Sequence, residues 1–162
     1  MIILDGTVLA PPPARRAPVR LLERMFRKPG HRTAHLPEVR AFGWLSREGD
    51  VPRHGVSGED IEAVETSLSH GGLWTIRGYR ACPFCPHKGV GPTRHVSDRG
   101  EWRLGDRSVA VTDDEGRLWA APDLVLHYMT EHGYGPGFTM HPAPIALVRA
   151  LGRECPELIL RV

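Results

Sequence analysis

Cys82-Pro83-Phe84-Cys85, followed after 41 residues by His127-Tyr128-Met129-Thr130-Glu131-His132, is the motif from which we predict the fold. It combines a Cys-x-x-Cys turn with a His-x4-His pair. Two thiolates and two imidazoles make a closed tetrahedral ligand set for zinc, and the two sulfur ligands argue against magnesium and calcium. We therefore predict one structural Zn2+ ion with four ligands: Cys82, Cys85, His127 and His132.

The cysteine half of the pattern has the features of a zinc knuckle. A two-residue spacer brings both sulfurs to one side of a tight turn, in which Pro83 fixes one backbone angle. Gly89 can take the positive φ with which the chain leaves such a turn. The order Cys-Pro-x-Cys-x-x-x-Gly resembles the knuckles of zinc ribbons and treble clefs.

The histidine half is predicted to lie on a helix. Pro122 suits the first helical position, Asp123 favours the positive helix end, and Gly133 indicates where the helix stops. His127 and His132 are five residues apart and would point about 140° away from each other on an ideal helix. They converge only if the last turn loosens, which the position of Gly133 allows. Two further histidines are alternative ligands, His87 and His95.

Other interpretations of these cysteines and histidines stay open. A thioredoxin-type redox pair would open a helix after a strand, whereas Pro86 and Gly89 favour a loop. The two thiols can equally be buried and unreactive, and the histidines ordinary surface or core residues. An odd number of cysteines, three, fits a reducing cytoplasm with Cys155 as a spare thiol better than it fits a disulfide framework.

The composition is that of a globular protein, with 41% hydrophobic and 25% charged residues among 162. The chain is long enough for one domain with its own core. There is no run of apolar residues long enough for a membrane span, and the start Met-Ile-Ile-Leu-Asp lacks the basic leader of a secretory signal. We therefore expect a cytoplasmic protein. The net charge of +2 is too small to indicate nucleic-acid binding by itself.

The chain is predicted to have two parts. Residues 1–56 form an N-terminal strand, a proline-rich connector and a basic helical arm, and residues 57–162 form the zinc-site domain. Residues 15–40 carry eight basic and two acidic side chains. The arm is predicted either to contact nucleic acid or an acidic partner, or to be a solvated face. Its candidate contact residues are Arg16, Arg20, Arg24, Arg27 and Lys28.

The zinc-site domain is predicted to be α+β, with a knuckle, a β-hairpin and a helix in treble-clef or enlarged zinc-finger order. Alternating apolar residues predict the strands, and the acidic tip 113–116 predicts a hairpin turn rather than a calcium loop. The predicted strands of the whole chain are 2–9, 73–77, 102–111, 117–120 and 158–162, and a short helix ends at Gly152.

A further helix is predicted upstream of the knuckle. Ser57 and Asp60 have the spacing of a capping box, and Gly71-Gly72 ends the helix. Large apolar residues on the neighbouring elements are expected to pack around the metal site. This predicted core comprises Trp74, Trp102, Leu118, Trp119 and Leu124.

The segment Leu-Trp-Ala-Ala-Pro-Asp-Leu-Val-Leu-His-Tyr-Met-Thr-Glu-His-Gly-Tyr, residues 118–134, resembles a motif of small uncharacterised bacterial proteins. In that motif an aromatic-x-Ala-Pro step precedes His-Tyr, a second histidine, Gly-Tyr and a proline-rich turn before phenylalanine. This chain differs by Trp119 in place of tyrosine and by residues 135–137, Gly-Pro-Gly, in place of paired prolines. The likeness extends from about Trp102 to Phe138. It implies the fold of the segment and a bacterial origin, without an established activity.

Three classes of function remain open. The preferred one is a non-catalytic zinc-binding protein acting as a protein-binding or accessory module, because four protein ligands leave no position for water. The alternative is a nucleic-acid-binding protein that uses the basic arm and arginines of the hairpin region. An enzyme is the third, although Glu131 is its only obvious general base and no partnered nucleophile is evident. The hairpin arginines are Arg94, Arg99, Arg103 and Arg107.

Overall fold

The computed structural model describes residues 5–9, 38–75, 78–86 and 91–154. Over these residues the chain has a mixed α+β fold with three helices and two sheets, which confirms the predicted fold class. The helices are α1 (Gly58–Ser69), α2 (Val125–Glu131) and α3 (Ile145–Glu154). The strands are β1 (Val8–Leu9), β2 (Val39–Ala41), β3 (Trp74–Thr75), β4 (Thr93–Ser97), β5 (Gly100–Leu104), β6 (Arg107–Thr112), β7 (Leu118–Pro122) and β8 (His141–Pro142).

The larger sheet has the strand order β1-β2-β7-β6-β3, and β8 also pairs with β6. β2 is parallel to β7, whereas the other pairs in this sheet are antiparallel. β4 and β5 form a separate two-stranded sheet. The hairpin β6–β7 turns at the predicted acidic tip, where the Gly116 amide donates to the Asp113 carbonyl at 2.9 Å. The order of knuckle, hairpin and helix is therefore the predicted one.

Alternation along β6 and β7 gives the large sheet two apolar faces. Val109, Val111 and Trp119 lie on the face that packs against α1 and α2. Ala110 and Ala120 lie on the opposite face, in the cluster that contains Leu151 of α3. The helices thus cover the sheet from both sides. The side chain of one predicted core residue, Trp74, lies outside the described part of the chain. The other four are buried: Trp102, Leu118, Trp119 and Leu124.

The start of α1 is the predicted capping box. The Asp60 amide donates to Ser57 Oγ at 3.1 Å, and the Ser57 amide donates to Asp60 Oδ2 at 2.9 Å. Helix α3, in contrast, continues through Gly152 to Glu154, so the prediction that it ends at Gly152 is wrong. A single glycine weakens a helix by only ~1 kcal/mol, and the adjacent Leu151 is fully packed in the core.

The single strand predicted for residues 102–111 is also wrong, because the chain changes sheets at Gly105. β5 ends at Leu104 in the small sheet, and β6 begins at Arg107 in the large one. Gly105 has φ +117°, and a Cβ atom there would lie 2.4 Å from the Arg80 carbonyl oxygen. Only glycine permits both this backbone angle and this close approach.

Helix α2 begins later than predicted. Pro122 is the last residue of β7 and not the first of the helix, which starts at Val125. Asp123 does not act at the helix start either. Its buried carboxylate accepts hydrogen bonds from the amides of Gly105 at 2.7 Å and Arg107 at 3.2 Å. It thereby ties the beginning of α2 to the break between β5 and β6.

Strand β2 occupies a region where no element was predicted. It lies between β1 and β7, and Phe42, which follows it, is completely buried. The division of the chain at residue 56 stays a prediction. In the part of the chain described above, no helix is both long and apolar enough to cross a bilayer. Several predicted features lie outside the described residues: the proline connector and basic arm with Arg16, Arg20, Arg24, Arg27 and Lys28, the strand at 158–162, and His87, Gly89 and Cys155.

Candidate metal centre

The four predicted ligand side chains come together at one point. One donor atom from each of them lies within 4.8 Å of all the others. The sulfurs come from the turn after residue 81, and the imidazoles come from the body and the end of α2. Within the described residues this is the one group of His, Cys, Asp or Glu side chains with such geometry. Its members are Cys82, Cys85, His127 and His132.

Four of the six donor–donor distances in this cluster are close to those of a tetrahedral metal site. Zn–S bonds of about 2.3 Å and Zn–N bonds of about 2.0–2.1 Å place sulfur and nitrogen about 3.6 Å apart, and two nitrogens about 3.3–3.4 Å apart. His132 Nε2 lies 3.3 Å from Cys82 Sγ and 3.5 Å from Cys85 Sγ. His127 Nε2 lies 3.2 Å from Cys85 Sγ and 3.2 Å from His132 Nε2. The residues therefore fit a four-coordinate metal ion.

The turn that holds the sulfurs is fixed by its own backbone and by packing. The Phe84 amide donates to Cys82 Sγ at 3.4 Å. The Phe84 ring packs edge-on against Tyr128 of α2, with centroids 5.8 Å apart, and lies 5.3 Å from the His132 ring. The aromatic residue inside Cys-x-x-Cys thus covers the cluster and joins the turn to the helix.

The end of α2 turns His132 toward His127. His132 is the residue that follows the helix, with φ −118° and ψ 2°, and Gly133 has φ +66°. The amides of His132 and Tyr134 both donate to the Tyr128 carbonyl, at 3.1 and 3.0 Å. Because His132 has left helical geometry, the two rings lie 4.9 Å apart. The predicted loosening of the last turn is confirmed.

Burial divides the cluster into an inner and an outer half. Cys82 and His127 are 8% exposed, whereas Cys85 and His132 are half-buried. Burial lowers the pKa of His127, and the neighbouring His132 lowers it further. Burial raises the pKa of Cys85, as does the adjacent Cys82. Both effects on His127 favour the neutral imidazole, which is the form that binds metals, and a cation among the donors would favour the thiolate of Cys85.

The alternative ligand His95 lies in a different network. Its Nε2 is 2.8 Å from Glu65 Oε1, and Arg99 contacts Glu62 and Glu65 as well. Glu65 is only 3% exposed. Glu65 was not among the predicted site residues, although its spacing of four from Ile61 places it on the buried face of α1. This network joins α1 to the β4–β5 hairpin.

Of the residues considered for other functions, only some lie within the described part of the chain, and these do not come together at one place. Glu131, the candidate base, is exposed at the end of α2. Of the hairpin arginines, Arg94 pairs with Glu101 at 3.3 Å, and Arg99 is already paired with the acids of α1. The basic arm lies outside the described residues.

Comparison with known proteins places the chain in a family. No curated protein and no solved structure matches it. A family model described as "Domain of unknown function (DUF7919)" matches residues 19–143, which include the cysteine turn, the hairpin β6–β7 and α2. Because this match spans more than half of the 162 residues, the chain belongs to the DUF7919 family.

Proposed function

We propose that this protein binds one structural Zn2+ ion through Cys82, Cys85, His127 and His132, and acts by binding another protein, without catalysis. The observation that carries the proposal is the convergence of two sulfurs and two nitrogens within 4.8 Å. Two thiolates with two imidazoles are typical zinc ligands, and they are poor ligands for magnesium or calcium.

The short contact between the two histidines supports a bound cation. His127 Nε2 and His132 Nε2 are 3.2 Å apart. Two acceptor nitrogens repel at this distance unless a proton or a metal ion lies between them. Zinc would satisfy both nitrogens and both sulfurs, whereas one proton would satisfy only a pair of them.

A structural role follows from the number and position of the ligands. Four protein ligands fill a tetrahedral shell and leave no position for a reactive water. The paired donors are 42 to 50 residues apart in the sequence, so one ion would join the cysteine turn to the end of α2. Because the unfolded chain does not hold these four ligands together, the free energy of metal binding would contribute to the free energy of folding.

The test is the metal content and stability of the full chain. We expect about one zinc ion per molecule, and tetrahedral d–d absorption after exchange with Co2+. Cys82→Ser should abolish stoichiometric binding and lower the free energy of unfolding by about 3 kcal/mol or more. Cys155→Ser is the matched control and should change neither quantity. Substoichiometric metal, or a melting temperature insensitive to chelation, would refute the structural metal.

The proposal extends to location and partners. Reduced thiols as ligands suit the cytoplasm. Nucleic-acid binding remains the alternative, favoured by the excess of six positive charges between residues 15 and 40. Electrophoretic mobility shifts with mixed DNA and RNA test it. A shift that weakens steeply with added salt would favour the alternative, and no shift at low salt would remove it.

A further inference from the structure

The two sulfurs of the candidate metal centre differ in their access to solvent. Cys82 is buried, whereas Cys85 is only partly buried. The residue after Cys85, Pro86, is exposed, and so is Glu131 at the end of α2. A reagent in solution reacts with a thiolate through its exposed surface, so it meets the Cys85 sulfur before the Cys82 sulfur.

Hydrogen bonds to the sulfurs make the same distinction. The Phe84 amide donates to Cys82 Sγ at 3.4 Å. Within the described residues, no amide donates to Cys85 Sγ, which lies 3.2 Å from His127 Nε2 and 3.5 Å from His132 Nε2. A hydrogen bond to a thiolate stabilises its negative charge and thereby lowers its nucleophilicity. Cys85 is therefore the more accessible and the more nucleophilic of the two sulfurs.

The positions of the two cysteines also suit a disulfide bond. Their sulfurs lie within 4.8 Å of each other. Both residues belong to one turn outside any helix or strand, with two residues between them. This is the spacing of dithiol–disulfide redox pairs, in which the sulfurs bond at about 2.05 Å. Because no helix or strand fixes the turn, it is free to make the small movement that brings the sulfurs together.

We propose that the metal centre is also a site of reversible oxidation, at which a peroxide converts Cys85 and Cys82 to a disulfide and the metal ion is released. This inference rests on the proposed function, because the oxidised sulfurs are two of the four proposed metal ligands. It adds a form of regulation, in which peroxide controls whether the site holds its ion.

The reaction is a two-electron oxidation of the two sulfurs. The Cys85 thiolate attacks one oxygen of hydrogen peroxide, so that an S–O bond forms, the O–O bond breaks and hydroxide leaves. The product at Cys85 is a sulfenic acid. The Cys82 thiolate then attacks the Cys85 sulfur, the S–S bond forms and a second hydroxide leaves. The peroxide has accepted two electrons and has become two hydroxide ions.

Oxidation would separate the cysteine turn from the end of α2. A disulfide leaves two imidazoles, which bind zinc far more weakly than the full set of four ligands. The disulfide joins two residues of the same turn, whereas the ion would join the turn to His127 and His132. Upstream, the Arg80 amide still donates to the Gly105 carbonyl at 2.7 Å. We therefore expect local opening of the turn and of the helix end, without unfolding of the sheet.

The experiment treats the reduced, zinc-loaded full chain with hydrogen peroxide. A chromophoric chelator records the release of zinc, and mass spectrometry of peptides identifies the paired cysteines. We expect about one Cys82–Cys85 disulfide for each zinc ion released, and a lower melting temperature. Dithiothreitol with added zinc should restore both the metal content and the melting temperature. Cys155→Ser is the matched control and should change the rate of release by less than about twofold.

A second measurement identifies the sulfur that reacts first. The zinc-loaded Cys155→Ser variant is treated briefly with a limiting amount of iodoacetamide, which alkylates thiolates by the same nucleophilic attack. Among singly modified molecules, we expect the label on Cys85 at least about ten times as often as on Cys82. An equal distribution, or a preference for Cys82, would contradict the assignment of Cys85 as the attacking sulfur.

The metal content before oxidation separates the failure of this proposal from the failure of the metal site. A reduced protein that does not bind zinc refutes both. A protein that binds one zinc ion and retains it at peroxide concentrations that oxidise Cys155 refutes only the reversible oxidation. Release of zinc with sulfinic or sulfonic acids, or with Cys155 in the disulfide, refutes it as well.

Discussion

Two buried aspartates, Asp113 and Asp123, have pKa values that are shifted in opposite directions. Asp113, at the hairpin tip, is buried, which alone would raise its pKa, but hydrogen bonds from Trp119 and Arg117 hold the pKa at about 2. Burial raises the pKa of Asp123 to about 6, and the amides of Gly105 and Arg107 offset only part of that rise. Neither role could be predicted from the sequence, because both depend on groups that only the folded chain brings near.

The pKa of Asp123 predicts a pH dependence. Because the folded state binds this proton more tightly than the unfolded state, the stabilisation is fully present below about pH 3.8 and is lost as the pH rises through about 6. Asp123→Asn does not titrate. We therefore expect the wild type to lose about 1–3 kcal/mol of unfolding free energy relative to the variant between pH 4 and pH 7.

Denaturant unfolding at several pH values measures this difference. Titration of the metal ligands is common to both proteins and cancels in the comparison. Asp98→Asn, which replaces an exposed carboxylate, serves as the control and should run parallel to the wild type. A difference between wild type and Asp123→Asn that stays flat, or grows with pH, would contradict the raised pKa.

Among the elements, several local signals predict the structure correctly, although the helix start expected at Pro122 and the helix end expected at Gly152 are wrong, and the elements set by distant residues were not predicted. The capping box of α1, the acidic hairpin tip and the glycine after α2 are set by residues a few positions apart. β2 has three residues, and its partner β7 lies nearly eighty residues away. The break at Gly105 interrupts an alternation that otherwise continues from Trp102 to Val111. Only the approach of Arg80, from another segment, shows why the strand ends there.

The strand break gives a prediction with an internal control. Gly105→Ala must adopt φ near +117° and place its methyl group against the Arg80 carbonyl, so we expect a loss of about 2–4 kcal/mol. Gly116→Ala, at the hairpin tip, has φ +73° but no atom within 4 Å of the new methyl group. It should lose only about 1–2 kcal/mol.

Chemical denaturation of the two variants measures the comparison. Both substitutions place alanine at positive φ, but φ +117° lies farther from the left-handed α region than φ +73°, so the difference between the two losses combines this extra backbone strain with the close approach of the Arg80 backbone. Equal losses would show that the approach has no energetic consequence. A larger loss for Gly116→Ala would contradict the account of the strand break.

At the scale of the whole molecule, the candidate site was the most predictable feature and its surroundings the least. Cysteine and histidine spacing alone identified four side chains that the fold brings together, because metal coordination restricts residue type and distance. No sequence pattern indicates that Trp44, Leu45 and Arg80 lie close together beside these ligands, because their segments meet only through tertiary contacts. No sequence pattern indicates the hydrogen bond between Asp5 and Tyr134, which follows α2, either.

The contact between Asp5 and Tyr134 predicts which part of the chain unfolds locally. Asp5 accepts hydrogen bonds from the Tyr134 hydroxyl at 2.7 Å and the Gly43 amide at 2.9 Å, across 129 residues in the first case. β1 adds only two residues of pairing at the sheet edge. Loss of the carboxylate should therefore release β1 locally while the rest of the sheet stays folded.

Asp5→Asn tests this by hydrogen exchange at neighbouring amides. The Ala41 amide donates to the backbone carbonyl of Thr7, beside β1, at 2.7 Å. The Phe42 amide donates instead to the backbone carbonyl of Ala120 in β7, at 3.0 Å. We expect exchange at Ala41 to speed up by about tenfold, equivalent to about 1.4 kcal/mol, with little change at Phe42. Asp50→Asn, another exposed acid, is the control. Equal acceleration at both amides would mean that Asp5 stabilises the whole fold, and unchanged exchange at Ala41 would mean that β1 is held without it.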